Sequence, residues 1–263
     1  MRLLDGALRG GASMISVQHL VKRYGSFTAV DDVSLDVQPG EIHGFLGPNG
    51  AGKTTTIRII AGLLKPTAGR VLVNNHDLAT EPEGAKAALG FIPDRPFIYE
   101  KLTAGEFLRF HAGLYGVDEA GIEERLKEML DIFELSRWQH ELVESFSHGM
   151  KQRLVMCAAF LHRPKAVLVD EPMVGLDPRG ARLIKDVFRR MSAHGVAILM
   201  STHTLEVAEE MCDRISIILK GQIIARGTVP ELRSMAGNPD EELTPVFLKL
   251  TGGSGLQEID EIL

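Results

Sequence analysis

The sequence predicts an α/β fold built around a doubly wound parallel sheet, and three observations support this prediction. Short apolar segments alternate with helical patterns over most of the chain. Residues 47–54 read Gly-Pro-Asn-Gly-Ala-Gly-Lys-Thr and lie between an apolar segment and a helical pattern. The continuous apolar run 166–169 is followed directly by Asp170 and Glu171. Because open α/β sheets bind ligands at the carboxyl ends of their strands, these features predict one ligand site there.

The N-terminal part of the chain predicts an antiparallel sheet. Residues 1–13 carry no apolar pattern, and we expect a disordered leader before a single domain over residues 14–234. Segments 15–21 and 29–37 are predicted strands. In the second strand Val33, Leu35 and Val37 alternate with polar residues, which is typical of a half-buried antiparallel strand.

The segment 47–54 matches G-x-x-x-x-G-K-[ST], the phosphate-binding loop. A strand over 42–46 precedes it, and we predict a helix over 55–64 after it. Glycines let the backbone wrap closely around phosphate oxygens, and the helix N-terminus adds its positive dipole. Lys53 would reach the β- and γ-phosphates and the Thr54 hydroxyl would ligate Mg²⁺. The motif therefore predicts a site for a nucleoside triphosphate.

The middle of the chain interrupts the alternation of strands and helices. After a short strand over 89–92, residues from about 94 to 163 read as an inserted all-helical subdomain. Thr103 and Glu106 form a predicted capping box at the start of one helix. Strands over 166–169, 196–200 and 215–219 then return the chain to the sheet, with a hairpin to 222–225. Residues 235–263 carry six acidic residues and one Lys and are predicted to be an acidic extension.

Composition excludes several classes of function. The net charge is −6, the part before the acidic extension is near neutral, and no basic stripe suggests nucleic-acid binding. No apolar run approaches the length of a transmembrane helix, so any membrane function would need a separate chain that spans the bilayer. Cys157 and Cys212 fit no metal or redox spacing and are predicted to be buried, reduced thiols.

Asp170 and Glu171 form an acidic pair that could bind the metal and activate water, two roles that the phosphate-binding loop does not fill by itself. Asp170 could hold Mg²⁺ through its water shell, as the acidic partner of a phosphate-binding loop does. Glu171 could polarise a water molecule for in-line attack on the γ-phosphate. Together with Lys53, the pair predicts hydrolysis of a nucleoside triphosphate.

Three further segments narrow the prediction to one family. Residues 147–153 read Ser-His-Gly-Met-Lys-Gln-Arg, residues 172–178 read Pro-Met-Val-Gly-Leu-Asp-Pro, and residues 201–203 read Ser-Thr-His. With these motifs, in this order, the chain resembles the nucleotide-binding domains of ABC transporters from about Ile15 to Gly227. The resemblance implies a P-loop NTPase (RecA-like) core with an N-terminal antiparallel β subdomain and an inserted α-helical subdomain. It also implies ATP and Mg²⁺ as ligands.

The resemblance assigns roles to individual residues. Tyr24, placed in a turn between the first two strands, would stack on adenine. Ser147 and Gly149 would contact the γ-phosphate bound to the other subunit, Asp177 would lie at the dimer interface, and His203 would hydrogen-bond the γ-phosphate or the attacking water. The predicted catalytic residues are Glu171 and His203, and the predicted metal-site residues are Thr54, Asp94 and Asp170. The predicted nucleotide-binding residues are Tyr24, Gly47, Pro48, Asn49, Gly50, Ala51, Gly52, Lys53, Thr54, Thr55, Ser147 and Gly149.

The sequence departs from the family pattern at three positions. His148 follows Ser147 where the family often has glycine, and Met173 replaces a small residue or threonine. Asp94 occupies the position of the usual glutamine between the core and the insert. Glutamine offers Mg²⁺ a neutral oxygen and aspartate a charged one, so we expect metal contact to survive with altered electrostatics.

The resemblance also implies partners. The segments 90–94, 147–153 and 247–252 look most like ATPases of bacterial ABC-2 type exporters, whose membrane subunits are usually separate chains. It implies a transmembrane permease, a second ATPase subunit (most simply a homodimer), and a cytoplasmic location at the inner face of the membrane. Residues 96–99 are predicted to form an exposed patch for the permease, or alternatively to pack the insert. Two alternatives to transport are a soluble ATPase acting on ribosomes or DNA and a degenerate regulatory subunit.

Overall fold

The computed structural model describes residues 13–95, 97–235, 243–244 and 247–248. No helix in this part of the chain is long and apolar enough to cross a membrane. The strands are β1 Ile15–Tyr24, β2 Phe27–Val37, β3 Ile42–Leu46, β4 Ala68–Val73, β5 His76–Asp77, β6 Leu89–Ile92, β7 Ala166–Asp170, β8 Ala197–Thr202, β9 Arg214–Leu219 and β10 Gln222–Gly227. The α-helices are α1 Lys53–Ile60, α2 Pro82–Ala87, α3 Ala104–Leu114, α4 Glu119–Ile132, α5 His148–Phe160, α6 Pro178–Ala193, α7 Leu205–Met211 and α8 Val229–Met235.

The strands form two sheets. The first has the order β2-β1-β4-β5 and is antiparallel. The second has the order β10-β9-β3-β8-β7-β6, in which the strands from β9 to β6 are parallel and β10 pairs antiparallel with β9. A parallel sheet with helical crossovers confirms the predicted fold class.

Alternation along the buried strands builds a core on each face of the second sheet. In β7, Val167 and Val169 join one apolar cluster with helices α3 to α6, whereas Ala166 and Leu168 join another. The second cluster contains α1 and the inward face of the first sheet, including Leu35. Successive side chains of a strand point to opposite faces, so the continuous apolar run seen in the sequence is required here.

The first two strands pair antiparallel, as predicted for the N-terminal part, and both are longer than expected. β1 pairs with β2 from Ile15 opposite Val37 to Tyr24 opposite Phe27. The prediction that Tyr24 lies in a turn was therefore wrong: Tyr24 ends β1, and Gly25, with φ of 58°, follows it in the turn. Gly25 alone suggests an earlier turn, but cross-strand side-chain pairs stabilise both strands up to Tyr24 and Phe27.

The helix after the phosphate-binding loop also differs from the prediction of 55–64. It starts at Lys53, because Gly52 takes a left-handed conformation with φ of 110° as the N-cap. It ends at Ile60, and Gly62 follows with φ of 69°. Glycine adopts this left-handed conformation without the cost that a Cβ imposes, so it stops the helix before Lys65.

The chain between β6 and β7 contains α3, α4 and α5. Thr103 caps α3 in the predicted capping box with Glu106. Leu126 and Leu130 of α4 and Phe133 at its C-terminal end recur at helical spacing and are fully buried, so they form one core-facing stripe. Residues 1–12 of the predicted leader, and most of the predicted extension 235–263, lie outside the described residues.

Candidate functional site

Strand register places the predicted site residues at one edge of the second sheet. Leu46 at the end of β3 pairs with Thr202, and Asp170 at the end of β7 pairs with Ser201. The phosphate-binding loop follows β3, the acidic pair ends β7, and His203 follows β8. These three segments are far apart in sequence, and their parallel strands bring them to the same edge.

The phosphate-binding loop packs too closely for side chains at two of its glycines. A Cβ on Gly47 would lie 2.4 Å from the carbonyl oxygen of Ile218, and one on Gly52 would lie 2.6 Å from that of Ala29. Gly50, with φ of 76°, faces open space. The loop is therefore held from behind by β9 and β2. Pro48, Asn49 and Gly50 are exposed, whereas Ala51 is buried.

Lys53 is buried and its ammonium lies inside the loop. Its Nζ donates hydrogen bonds to the carbonyl oxygens of Gly47 at 2.6 Å and Pro48 at 3.1 Å, and it lies 4.0 Å from Glu171 Oε1. Burial lowers the pKa of Lys53 from its ordinary value, although the carboxylates of Glu171 and Asp170 act in the opposite direction. The loop carbonyls and Glu171 thus hold a buried cation at the position where phosphate charge would arrive.

The residues predicted to hold Mg²⁺ offer suitable oxygen donors. Asp170 is 2% exposed and accepts a hydrogen bond from the Ser201 hydroxyl, while Thr54 stands in the first turn of α1. Among the described residues, no group of three or more His, Cys, Asp or Glu side chains could hold a metal alone. Mg²⁺ usually takes one or two protein oxygens plus substrate phosphates, so this sparse donor set fits it.

Glu171 has the most unusual backbone in the site. Its φ is 52°, in the left-handed region that few residues other than glycine adopt, and its N–H donates to the Ser201 carbonyl at 3.1 Å. Its Oε1 accepts a hydrogen bond from His203 Nδ1 at 2.9 Å. The adjacent strand and His203 thus hold a conformation that costs roughly 1–3 kcal/mol, as is common at functional sites.

Asp94 shares a cavity with the acidic edge. A cavity of about 870 Å³ at the joint between sheet and insert is lined by Asp94, Asp170, Arg58 and several aromatic residues. Asp94 is half-buried, just past the end of β6. The structure therefore places the aspartate that replaces the family's glutamine in the same space as Asp170.

Residues 147–149 form the signature segment at the start of α5, where Ser147 and His148 are exposed and Gly149 is half-buried. Ser147 is the N-cap, and its hydroxyl accepts from the Met150 N–H at 3.3 Å. A Cβ on Gly149 would lie 3.6 Å from Leu176, and the ring of His148 occupies the space where a Cβ of Gly175 would lie, at 2.5 Å. The signature segment is thus packed against the loop that leads to Asp177.

Two further predicted residues remain exposed. Asp177 caps α6 by accepting from the Gly180 N–H at 2.8 Å. Tyr24 is 50% exposed, and Lys22 Nζ lies 5.0 Å from its ring centroid. No hydrogen bond or ion pair in the described chain joins Ser147, Asp177 or Tyr24 to the phosphate-binding loop.

Sequence reasoning missed two supporting residues. The buried Thr56 hydroxyl donates to the Gly52 carbonyl at 2.9 Å, and Ser201 contacts both members of the acidic pair. No sequence motif marks Thr56, because a threonine within a helix carries no signal of its own. The Ser201 signal was available, because polar residues that end a buried strand beside Asp170 face the same edge.

Comparison with known proteins agrees with this geometry. The ABC transporter family model matches residues 30–174. The ABC-type transporter ATP-binding protein EcsA of Bacillus subtilis is 38% identical over 239 residues, covering 91% of this chain and 97% of that protein. The linearmycin resistance ATP-binding protein LnrL of the same organism is 36% identical over 224 residues, covering 85% and 72%. A solved structure of an ATP binding subunit of an ABC transporter superposes with a TM-score of 0.86 at 37% identity, covering 91% and 100%.

The family match spans more than half of the chain, and EcsA aligns over nearly its whole length. The phosphate-binding loop, the acidic pair and the histidine, predicted as separate motifs, meet at one edge of one sheet. The chain therefore belongs to the ABC transporter family, as an ATP-binding and ATP-hydrolysing subunit.

Proposed function

We propose that two copies of this chain associate head to tail and hydrolyse two MgATP molecules between them to drive a separate membrane permease. One observation carries this proposal. Lys53, Glu171 and His203 lie together, whereas the Ser147 helix start is exposed on another part of the surface. A second chain completes the site by bringing its own Ser147 and Gly149 to the γ-phosphate, where a helix N-terminus and bare backbone bind anions.

The side chains around the γ-phosphate have separate roles in hydrolysis. The loop N–H groups and Lys53 bind the phosphate oxygens, and Lys53 exchanges its loop carbonyl partners for them. Glu171 Oε1 is engaged by His203, and Oε2 forms no hydrogen bond within the described chain. Oε2 therefore orients the attacking water and accepts its proton.

The role of His203 beside Glu171 depends on which of its ring nitrogens carries a proton. A carboxylate only accepts hydrogen bonds, so Nδ1 carries the proton that it donates to Glu171. In neutral His203 the other nitrogen, Nε2, is then an acceptor and binds the attacking water. Protonated His203 would instead donate to the γ-phosphate. Of the two predicted roles, the geometry favours the contact to water for the neutral ring.

Thr54, Asp170 and Asp94 would hold Mg²⁺ beside the phosphates. When bound, the metal neutralises the charge that develops on the transferring phosphate. The chain's own contribution is to orient Asp170 through the Ser201 hydroxyl and to place Asp94 in the adjoining cavity.

The cavity that contains Asp94 also offers a docking surface to the permease. Phe97 lines this cavity and is 93% exposed, Tyr99 two residues further on is 59% exposed, and Ile98 packs against the core. Exposed aromatic residues at a joint suit a short apolar segment of a partner. Of the two predicted roles, the exposure supports docking for Phe97 and Tyr99, and packing of the insert for Ile98. Pro96 lies outside the described residues. The chain would then act at the inner face of the membrane.

We further propose that the transporter is an exporter. LnrL is by its name a linearmycin resistance ATP-binding protein, and resistance is typically conferred by moving a compound out of the cell. This is the same direction that the ABC-2 resemblance implies.

Mixed dimers test the composite site. One chain carries Lys53→Ala and its partner Ser147→Ala, each with a different affinity tag so that the mixed dimer can be isolated. If each site combines the loop of one chain with the signature of the other, the mixed dimer retains one intact site. We expect ATPase activity well above that of either mutant homodimer, up to about half of the parent rate. Activity no higher than that of the homodimers would contradict the shared site.

A further inference from the structure

A second groove lies away from the nucleotide site, between α4 of the insert and α6 of the core. Its volume is about 660 Å³. Its floor is apolar and includes Met129, Phe160 and Met191, and Ile132 beside them is 45% exposed. A cavity of this size with an apolar floor is a candidate docking surface.

The rim of this groove is basic. Five of its lining residues are basic or histidine and none is acidic. Arg163, Lys165 and Arg190 are exposed, and no carboxylate of the described residues forms an ion pair with any of the three. This is notable in a chain of net charge −6, where carboxylates outnumber cations. The groove therefore suits an occupant that is both apolar and acidic.

The chain itself contains a segment with this chemistry. Residues 256–263 read Leu-Gln-Glu-Ile-Asp-Glu-Ile-Leu, with four apolar residues, three carboxylates and no basic residue. The apolar positions 256, 259, 262 and 263 recur at the spacing of one helical face. An apolar face and adjacent carboxylates complement an apolar floor and a basic rim.

The segment is also within reach. Phe247 packs against the apolar cluster of α7, α8 and β9. Helix α7 contacts α6, where Arg189 donates to the Glu210 carbonyl at 3.2 Å. The groove lies on the opposite side of α6, at Val187 and Met191. Residues 249–255 can extend roughly 23–25 Å, which exceeds the path of about 16–19 Å around half the circumference of a helix ~10–12 Å in diameter.

We propose that residues 256–263 dock in the groove between α4 and α6 of the same chain. The docked segment contacts the insert and the core together. The apolar face provides the contact area, and Arg163, Lys165 and Arg190 provide charge attraction that salt weakens.

Disulfide trapping in the full-length protein tests this docking. The variant pairs Ile132→Cys with Ile259→Cys. The control pairs Ile259→Cys with Leu114→Cys, an apolar residue on α3 that is more exposed than Ile132 and therefore at least as accessible to a free segment. The native thiols interfere little, because burial raises the pKa of Cys157 and raises that of Cys212 to about 12. We expect the Ile132 pair to form an intramolecular disulfide about ten times faster than the control.

Charge reversal provides the second measurement. Arg190→Glu should slow the trapping several-fold, and combining it with Glu258→Arg, Asp260→Arg and Glu261→Arg should restore part of the rate. Equal trapping at Ile132 and Leu114, or a rate insensitive to Arg190→Glu, would overturn the proposal. A disulfide-linked dimer in place of the intramolecular product would overturn it too, because the occupant would then belong to a second copy.

Discussion

The sheet edge and the signature segment, both predicted to bind the γ-phosphate, differ in how complete they are. At the sheet edge, Lys53 and Asp170 are buried, and Glu171 is held by His203 and the backbone of Ser201. At the signature segment, Ser147 and His148 are exposed and their hydrogen bonds stay within their own helix turn. One region is pre-organised by one chain, whereas the other presents an open helix start.

This difference indicates which region ATP-dependent closure can act on. A site whose charges are already held needs little reorganisation during the chemical step. An exposed helix start gains its function only when an anion reaches it from outside. We therefore expect substitutions at the sheet edge to affect hydrolysis itself, and substitutions around the signature segment to affect the association of two chains.

Glu171→Gln tests the sheet edge and should have the largest effect. The amide keeps the shape but cannot accept a proton from water, so hydrolysis should fall about 10²–10⁴-fold. ATP binding should persist, and an ATP-bound dimer should accumulate in size-exclusion chromatography. Glu124→Gln, on an exposed face of α4, serves as the control. A mutant that hydrolyses at the parent rate would remove Glu171 from its assigned role.

Phe97→Ala combined with Tyr99→Ala tests the proposed docking surface at the cavity beside the sheet edge. Both side chains are exposed, so we expect basal ATPase activity and the free energy of unfolding to change little. Stimulation of the ATPase by the permease should fall at least tenfold, since truncating a hot-spot aromatic residue costs ~2 kcal/mol or more and about 1.4 kcal/mol is a factor of ten. Co-purification from detergent extract and thermal melting provide the measurements. Parallel losses of stability and coupling would favour a packing role.

Asp94 variants test whether the sheet edge extends into the insert. Asp94→Asn removes the charge, and we expect slower hydrolysis by a few-fold and a weaker dependence of closure on Mg²⁺. MgATP binding to the monomer should stay nearly unchanged. Asp94→Gln should retain more activity than Asp94→Ala. The measurement is ATPase rate against free Mg²⁺ at saturating ATP, with Asp186→Asn as a surface control. Superimposable curves would show that Asp94 is not a metal-site residue.

Gly175→Ala tests the packing of the signature segment and should have the smallest effect. The new Cβ would meet the His148 ring at 2.5 Å and would sit at φ of 77°. Gly195→Ala, at φ of 89° with no atom within 4 Å, imposes the same kind of backbone strain without a collision. We expect Gly175→Ala to raise the ATP concentration for dimerisation several-fold more than Gly195→Ala does.

His148→Gly should remove the part of this defect that comes from the collision. The double mutant is then expected to dimerise better than Gly175→Ala alone, which a double-mutant cycle measures directly. If the two substitutions are simply additive, the contact between His148 and Gly175 does not position the signature segment.

The residue types of the site and the α/β class can both be predicted from the sequence, because their signals are local. The phosphate-binding loop is a local motif whose glycines and lysine carry their chemistry at fixed spacing. The apolar run before Asp170 predicts a buried parallel strand, because only such a strand needs apolar residues on both faces. Helix starts with a capping residue, such as Thr103, were equally readable since the signal lies within four residues.

The contacts of these residues depend on how the strands and helices pack, and the sequence alone does not predict them. The pairing of Asp170 with Ser201 places residues from β7 and β8 side by side, and no local pattern contains that register. Several features of the site depend on segments that are distant in sequence. They are the left-handed backbone of Glu171, the close approach of Gly47 to Ile218 and the packing of the His148 ring against Gly175. Sequence periodicity reports which face of an element is buried, but contacts between elements are determined only when their faces pack.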